Sequence, residues 1–254
     1  MNSRGTRIQN QHTKHIYGHI HVARTGGSSL NWMLAQKYER ICGNKGYSSQ
    51  SSWDVVEKES GQRKADAMEM IGFEHCDYIS HEVGWRFWQR LQVREIKAFA
   101  DTPLELHVAC RDPISHLMSL CNFFDVQFSC EGTTDEFISL VQKCLQRAVT
   151  QRFSMKLVRK SIVKCFDFRQ QFTTYLHFME QRLETKKWGA ELIPPNFYAP
   201  DRKRKPRDNS TECIWKHPDL MDKAQNYMLT HIDYHRFCHQ CLGSKDDLLT
   251  SATK

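Results

Sequence analysis

The sequence predicts an α/β protein with three α/β/α layers, in which helices cover both faces of a mostly parallel central sheet. Segments rich in strand-forming residues alternate with segments of helical periodicity along much of the chain. Two of these strands run directly into helices through short turns, one rich in glycine and one with the sequence Arg-Asp-Pro. Strands joined through helices pair in parallel and are covered on both faces, because a parallel crossover needs a long connection.

The individual elements follow from periodicity and turn signals. The helix after the first loop places Leu30, Leu34 and Tyr38 on one face. Strands are expected over residues 16–22, 75–80, 104–110 and 161–168, and further helices over residues 64–71, 85–98, 114–124, 135–150, 172–183 and 219–242. Residues 42–62 and the proline-containing run 185–210 are expected to be loops.

The composition fits one domain over residues 1–254, with flexible tails at residues 1–14 and 243–254. A hydrophobic fraction of 40% and a charged fraction of 26% are ordinary for a folded protein and exclude wholesale disorder. The net charge of +7 has the sign expected for a protein that binds a multiply anionic ligand, and it does not by itself indicate nucleic acid.

The membrane and cysteine signals are weak. No run of about 18 or more apolar residues is present, so we expect no signal peptide or membrane segment in the chain as given.

Of the ten cysteines, Cys110, Cys144 and Cys165 lie in apolar stretches, which is typical of buried free thiols. A histidine and cysteine cluster at residues 231–241 has one Cys-x-x-Cys pair, which is weak support for zinc, and we expect no metal site.

Residues 21–30, HVARTGGSSL, have the pattern of a strand that runs through a tight loop into a helix. The adjacent glycines let the backbone turn sharply and come close to a ligand. We expect Ser28 and Ser29 to cap the helix, whose unpaired N–H groups and dipole favour an anion, and Arg24 adds a fixed charge. The spacing differs from Gly-x-x-x-x-Gly-Lys-Ser/Thr, which disfavours a magnesium-dependent NTPase.

A second candidate anion site follows the predicted strand that ends at Cys110. Arg111 at the strand end can make a bidentate contact with a phosphate, and Pro113 suits the first turn of a helix. Ser119 then lies on the side of that helix that faces Arg111. Taken alone, Arg-Asp-Pro is far more often an ordinary helix start with a local ion pair.

Together the two blocks resemble the sulfotransferases that use 3′-phosphoadenosine 5′-phosphosulfate (PAPS), in the form found in carbohydrate sulfotransferases. Residues 21–30 resemble the 5′-phosphosulfate-binding loop of that family, and residues 111–119 resemble its 3′-phosphate-binding motif. The resemblance implies a single P-loop-like domain that transfers a sulfuryl group from PAPS to a hydroxyl or amine. The Thr-Gly-Gly-Ser-Ser form of the loop implies a carbohydrate acceptor. The compartment would be the cytoplasm for a complete chain, or the Golgi lumen if an N-terminal anchor has been removed.

The resemblance also implies roles for individual residues. The expected PAPS-binding residues are Arg24, Thr25, Gly26, Gly27, Ser28, Ser29, Arg111 and Ser119. Arg24 stands where many members have lysine; it would stabilise the leaving group but cannot release a proton. His116 falls where relatives often have arginine, which puts a secondary phosphate contact in doubt.

The catalytic base is expected at a strand end. His81 ends a predicted strand, and its ordinary pKa near ~6.5 suits proton abstraction near neutrality. The segment is similar to a strand-end His element in several glycan sulfotransferases. Glu82 is the second candidate, either as the base or as the group that orients the imidazole. The alternative is a surface histidine without a catalytic role.

Three questions stay open at this level. The basic run at residues 202–207 is a solvated loop, a lid over an anion, or a nuclear import signal. A P-loop nucleotide phosphotransferase would need a Walker lysine, which the loop lacks. A non-catalytic protein that binds nucleotide or sulfated glycan would keep the anion loops without turnover. We expect no partner beyond PAPS and a hydroxyl-bearing acceptor, neither nucleic acid nor membrane.

Overall fold

The computed structural model describes residues 15–38, 41–43, 76–82, 84–92, 104–128, 132–185 and 217–248. Its sheet has five strands, all parallel, in the spatial order β2-β3-β1-β4-β5. The strands are β1 (Ile16–Ile20), β2 (Ile41–Gly43), β3 (Tyr78–His81), β4 (Leu104–Cys110) and β5 (Ile162–Asp167). The predicted α/β class with a parallel sheet is confirmed, and β2 is a strand that the sequence did not predict.

Helices cover both faces of the sheet. They are α1 (Gly27–Lys37), α2 (Trp85–Gln92), α3 (Pro113–Phe124), α4 (Thr134–Leu145), α5 (Met155–Val158), α6 (Phe172–Glu180), α7 (Pro218–His231) and α8 (Asp233–Cys241). Leu34 of α1 and Met179 of α6 belong to one buried cluster, whereas Leu117 of α3 and Met228 of α7 belong to another on the opposite face. These clusters give the molecule three layers. Within the described ranges, no helix is long and apolar enough to span a membrane.

The prediction of one terminal helix over residues 219–242 is wrong in one respect, because the helix divides into two at Ile232. Ile232 is extended, with φ −107° and ψ 107°, and it separates α7 from α8. The break turns the chain so that the Asp233 carboxylate accepts a hydrogen bond from the Met155 backbone N–H at 2.9 Å. A long-range cap for α5 therefore overrides the local helical pattern.

The ends of two further elements differ from the expectations. Residues 135–150 are one helical stretch, but the last turn, Gln146–Thr150, is a π-helix. Residues 243–248 are packed, since Leu248 is fully buried and its N–H donates to the Cys165 carbonyl at 2.8 Å. The start of the expected C-terminal tail therefore packs against β5.

Several expectations lie outside the described residues. These are the tails at residues 1–14 and 249–254, the loop at residues 44–62, the helix at residues 64–71, the end of the helix at residues 93–98, most of the loop at residues 185–210, and the basic run at residues 202–207.

The free-thiol expectation for Cys110, Cys144 and Cys165 is wrong. The structure contains the disulfides Cys110–Cys238, Cys121–Cys144 and Cys165–Cys241. A buried position in an apolar stretch suits a thiol and a disulfide equally, and only the folded chain brings the partners' Cα atoms within 5.2–6.2 Å. Two of the three bridges tie α8 to the strands β4 and β5.

We predict that these bridges differ in their contribution to stability. Cys110–Cys238 joins residues 128 positions apart, and Cys121–Cys144 joins residues 23 positions apart. Because loop-closure entropy grows with loop length, the paired Cys→Ser variants should lose about 5 and about 3 kcal/mol of unfolding free energy, respectively. Urea unfolding of both double variants, followed by circular dichroism, measures this. A greater loss for the shorter loop would contradict the prediction.

Candidate anion-binding site

The candidate site lies where the chain leaves the carboxyl ends of β1, β4 and β5. These strands are adjacent in the sheet, so the loops that follow them meet at one edge. After β1 the chain forms β2 and β3 on one side of it and then crosses to form β4 on the other side. Such a reversal of strand order opens a crevice at the carboxyl edge, where ligands bind in open α/β sheets.

The glycine loop has the backbone conformation of an anion-binding turn. Arg24 and Gly26 both have left-handed conformations, with φ values of 64° and 79°. Gly26 is the N-cap of α1, and no side chain caps the helix. The expectation that Ser28 and Ser29 cap it is therefore wrong, since both lie within the first turn, where they are exposed. The first N–H groups of α1 remain available to an anion.

Packing requires glycine at both loop positions. A Cβ atom at Gly26 would lie 2.0 Å from the ring of Phe168, and one at Gly27 would lie 2.2 Å from the imidazole of His21. Both distances are far below any real contact, and both neighbours are rings held against the loop. The double glycine thus allows the loop to lie directly on two aromatic side chains.

Hydrogen bonds from three directions fix the loop backbone. The Thr25 hydroxyl donates to the Val22 carbonyl at 2.8 Å. The Ala23 N–H donates to the Ala148 carbonyl of the π-helical turn at 3.4 Å. The Ala23 carbonyl accepts a hydrogen bond from His116 Nε2 at 2.8 Å. The loop is therefore held in place before any ligand binds.

The predicted residues of the two motifs contact each other. Arg111 Nη1 donates to the Arg24 carbonyl at 2.7 Å, and Arg24 Nε donates to the Ser119 hydroxyl at 3.1 Å. The Arg24 guanidinium also lies 5.2 Å from the ring centre of Phe123, at the rim of the site. The structure thus brings Arg24, Arg111 and Ser119 together across 95 positions of sequence.

Arg111 has unused hydrogen-bonding capacity. Burial, followed by the nearby charges of Arg169 and Arg24, lowers the pKa of Arg111. Its Nε is buried, and this nitrogen has no hydrogen-bond partner within the described part of the chain. A buried guanidinium N–H without an acceptor costs free energy. An anion that accepted this hydrogen bond would therefore stabilise the protein.

The start of α3 and the Tyr234 hydroxyl fix the backbone around Arg111. Asp112 is the N-cap, and its Oδ1 accepts a hydrogen bond from the Ser115 N–H at 2.8 Å. Pro113 occupies the first helical position, where a missing N–H has no cost. The Tyr234 hydroxyl accepts from the Arg111 N–H at 3.2 Å and donates to the Ala109 carbonyl at 2.7 Å.

The two base candidates lie at the same edge of the sheet. His81 ends β3 and pairs with Ile20, the last residue of β1 before the glycine loop. Glu82 follows directly, and its carboxylate lies 3.8 Å from the Arg152 guanidinium. An ion pair of this kind favours a structural role for Glu82 and leaves His81 as the stronger candidate.

A pair of buried histidines supports the loop from behind. His116 Nε2 faces a carbonyl oxygen, so it carries the proton, and burial lowers the pKa of His116 to about 4. Nδ1 of the neutral ring is then an acceptor, and His235 Nε2 donates to it at 3.4 Å. His116 therefore supports the loop and does not replace the phosphate-binding arginine that relatives often have there.

Both cysteines of the cluster at residues 231–241 are engaged in disulfides. Cys238 and Cys241 are bonded to Cys110 and Cys165, so neither can supply a thiolate. His235 is directed to His116. Among the described residues, no group of three potential metal ligands is present.

A chain of mostly buried polar groups runs across the sheet on the face covered by α1 and α6. Burial lowers the pKa of His107, and the Glu105 carboxylate accepts from its Nε2 at 2.9 Å. Nδ1 of the neutral imidazole accepts from the Tyr175 hydroxyl at 2.8 Å, which leaves Tyr175 to accept from Tyr78 at 3.1 Å. These groups satisfy one another, as buried polar groups must.

Sequence reasoning missed four residues of the site region. They are Phe123, Phe168, Arg169 and Tyr234. Arg169 had a usable signal, because a cation just after a predicted strand end lies at the same edge as the glycine loop. The other three are aromatic residues in segments that read as ordinary helix or strand packing.

We predict a loss of stability between pH 7 and pH 5 that depends on His116. The charged groups around it are Arg111, Arg24 and Asp112, and it contacts His235. Because its folded pKa of about 4 lies below the ordinary 6.5, the unfolded chain binds the proton first, so stability present above pH 6.5 is lost as the pH falls. At pH 5 the unfolding free energy is therefore about 2 kcal/mol lower than at neutral pH because of His116.

Urea unfolding at pH 7.5 and pH 5 measures this loss. His116→Gln keeps an N–H donor for Ala23 and should reduce the loss by about 2 kcal/mol. His239→Gln, which removes an exposed imidazole from α8, is the matched control. Equal losses in wild type and His116→Gln would contradict the assignment of a neutral buried ring.

Comparison with known proteins gives no further indication of family. No family model, no curated protein and no solved structure matches the chain. The resemblance to sulfotransferases therefore depends on residues 21–30 and 111–119 and on the way in which the fold joins them.

Proposed function

We propose that this protein is a PAPS-dependent sulfotransferase that acts on a hydroxyl or amine, with a carbohydrate as the expected acceptor. The observation that carries the proposal is the contact between its two anion motifs. Arg24 of the glycine loop reaches Ser119, and Arg111 reaches the Arg24 carbonyl. A donor with anionic groups at both ends needs two such motifs at a fixed separation.

The residues present fit such a donor. The unpaired N–H groups at the start of α1 would hold the 5′-phosphosulfate, and residues 25–29 form that start. Arg111 and Ser119 would hold the 3′-phosphate, for which Arg111 Nε is the free donor in the described part of the chain. PAPS supplies an activated sulfuryl group, and positioning and electrostatics contribute most of the catalysis in transfers of this kind.

Two groups have roles in the transfer itself. Arg24 lies between the two motifs, where its permanent charge would stabilise the oxygen that leaves with the adenosine bisphosphate. His81, at the end of β3, would accept the proton of the acceptor hydroxyl. Glu82 remains the second candidate for this step.

The charges at this edge favour sulfuryl transfer over a nucleotide phosphotransferase reaction. The Asp112 carboxylate accepts from the Ser115 N–H, and the Asp167 carboxylate accepts from the N–H groups of Arg169 and Gln170. Both acidic side chains thus cap backbone at the strand ends, and the loop has no Walker lysine.

The disulfides bear on the compartment in which the protein works. Three bridges occur in the described part of the chain, and two of them attach α8 beneath the site. Such bridges form and persist in oxidising environments and are rare in the cytosol. They favour the lumen of the secretory pathway for this sulfotransferase.

Transfer of label from sulfur-labelled PAPS tests the function directly. Purified protein is incubated with the labelled donor and a panel of glycans, alcohols and phenols, and labelled acceptor is measured. We expect label on a carbohydrate. In the same assay His81→Ala should abolish transfer and leave adenosine 3′,5′-bisphosphate binding intact, because the base acts on the acceptor.

One result would count against the proposed function, and another only against the assignment of the base. Tight bisphosphate binding without transfer to any acceptor would favour a non-catalytic binding protein. Unchanged turnover in His81→Ala would remove the base assignment and leave the sulfotransferase proposal in place.

Arg111→Ala should weaken the binding of adenosine 3′,5′-bisphosphate much more than the binding of AMP. The reason is that Arg111 would contact the 3′-phosphate, which AMP lacks. Loss of a charged hydrogen bond corresponds to about tenfold or more in affinity. Isothermal titration calorimetry with both nucleotides measures the difference. Equal weakening of both ligands would contradict the assigned contact.

A further inference from the structure

A third loop lies against the two anion motifs, although the sequence analysis did not assign it a role. This loop follows β5 and begins at Phe168. The Phe168 N–H donates to the Cys110 carbonyl at 2.8 Å, which attaches the loop to the end of β4. The Phe168 ring packs on Gly26, which attaches it to the glycine loop. The three loops therefore form one surface.

Arg169 is the charged residue of this third loop. Its N–H donates to Asp167 Oδ1 at 2.7 Å, and the Gln170 N–H donates to the same atom at 2.7 Å. This carboxylate fixes the backbone on which Arg169 stands. The Arg169 side chain is exposed and makes no ion pair with any residue that the structure describes.

Three arginines thus follow three neighbouring strand ends. Arg24 follows β1, Arg111 follows β4 and Arg169 follows β5. Arg169 is near enough to Arg111 for its charge to contribute, after burial, to the lowered pKa of Arg111. A nearby positive charge disfavours the charged form of a partly buried guanidinium, and an anion bound between the loops would offset that effect.

The number and position of the charges indicate the kind of anion. Arg24 is directed towards Ser119, whereas Arg111 and Arg169 follow the ends of the adjacent strands β4 and β5. Two guanidinium groups that share one partner match a group with two negative charges and several acceptor oxygens. A phosphomonoester has these properties, whereas a phosphodiester or a sulfate ester carries one charge.

We infer that Arg169 is a third anion-binding arginine, which together with Arg111 holds the terminal phosphomonoester of the nucleotide. This inference rests on the proposed function and extends it. The phosphomonoester meant here is the 3′-phosphate, which distinguishes a 3′,5′-bisphosphate from AMP, whose single phosphate is at the 5′ position. Arg169 is therefore a specificity residue for the donor, contributed by a loop outside the two motifs.

Calorimetry on four proteins tests the inference. Wild type, Arg169→Ala, Arg169→Lys and the control Arg159→Ala are titrated with adenosine 3′,5′-bisphosphate and with AMP. Arg159 is an exposed arginine that follows α5. Arg169→Ala should weaken the bisphosphate about tenfold or more, whereas its AMP affinity and both affinities of Arg159→Ala should stay at wild-type values. Arg169→Lys should recover part of the loss because it keeps the charge.

The outcomes separate this inference from the function on which it rests. If wild type fails to bind the bisphosphate, both are overturned. If wild type binds it and Arg169→Ala binds it equally well, Arg169 is a solvated loop residue, and only the third arginine is rejected. Equal loss of AMP and bisphosphate would also reject it, because the contact would then lie elsewhere on the nucleotide. Thermal unfolding of each variant shows that the binding data come from folded protein.

Discussion

The site depends on the hydrogen bond from the Arg111 side chain to the backbone of Arg24. Arg111 Nη1 donates to the carbonyl of Arg24, a residue in a left-handed conformation that is uncommon outside glycine. The bond draws the two positive residues together although their charges repel. It also couples the motifs, because any displacement of Arg111 is passed to the glycine loop through the Arg24 carbonyl. An anion that engages Arg111 therefore acts on both loops.

The C-terminal helix α8 opposes this repulsion from beneath. Tyr234 bonds the backbone on both sides of the β4 end, His235 donates to His116, and Cys238 is bonded to Cys110. His116 in turn holds the Ala23 carbonyl next to Arg24. One short helix, more than 100 positions away in sequence, thus fixes the backbone of both anion loops. The hydrogen bonds to Ala109, to His116 and to Ala23 are buried, where water does not weaken them.

The sequence predicted what local rules control. The strand that runs through a double glycine into α1, the arginine at the end of β4, and Pro113 in the first helical turn all follow from short-range signals. What it missed depends on distant partners. The disulfide of Cys110 needs Cys238, the break at Ile232 allows Asp233 to cap α5, and Arg169 joins the site only because β5 lies beside β4. Neither periodicity nor turn chemistry contains that information.

The contrast between permanent and titrating charges indicates how the site responds to pH. The three arginines are charged at every accessible pH. Protonation of His116 would add a fourth positive charge behind the loop, and burial together with Arg111 and Arg24 opposes this by holding the pKa of His116 at about 4. The imidazole therefore keeps one tautomer, and the Ala23 carbonyl keeps its donor, throughout the neutral range. A phosphomonoester loses its second proton near pH ~6. Because His116 stays neutral around that pH, it adds no pH dependence of its own to binding of the proposed nucleotide.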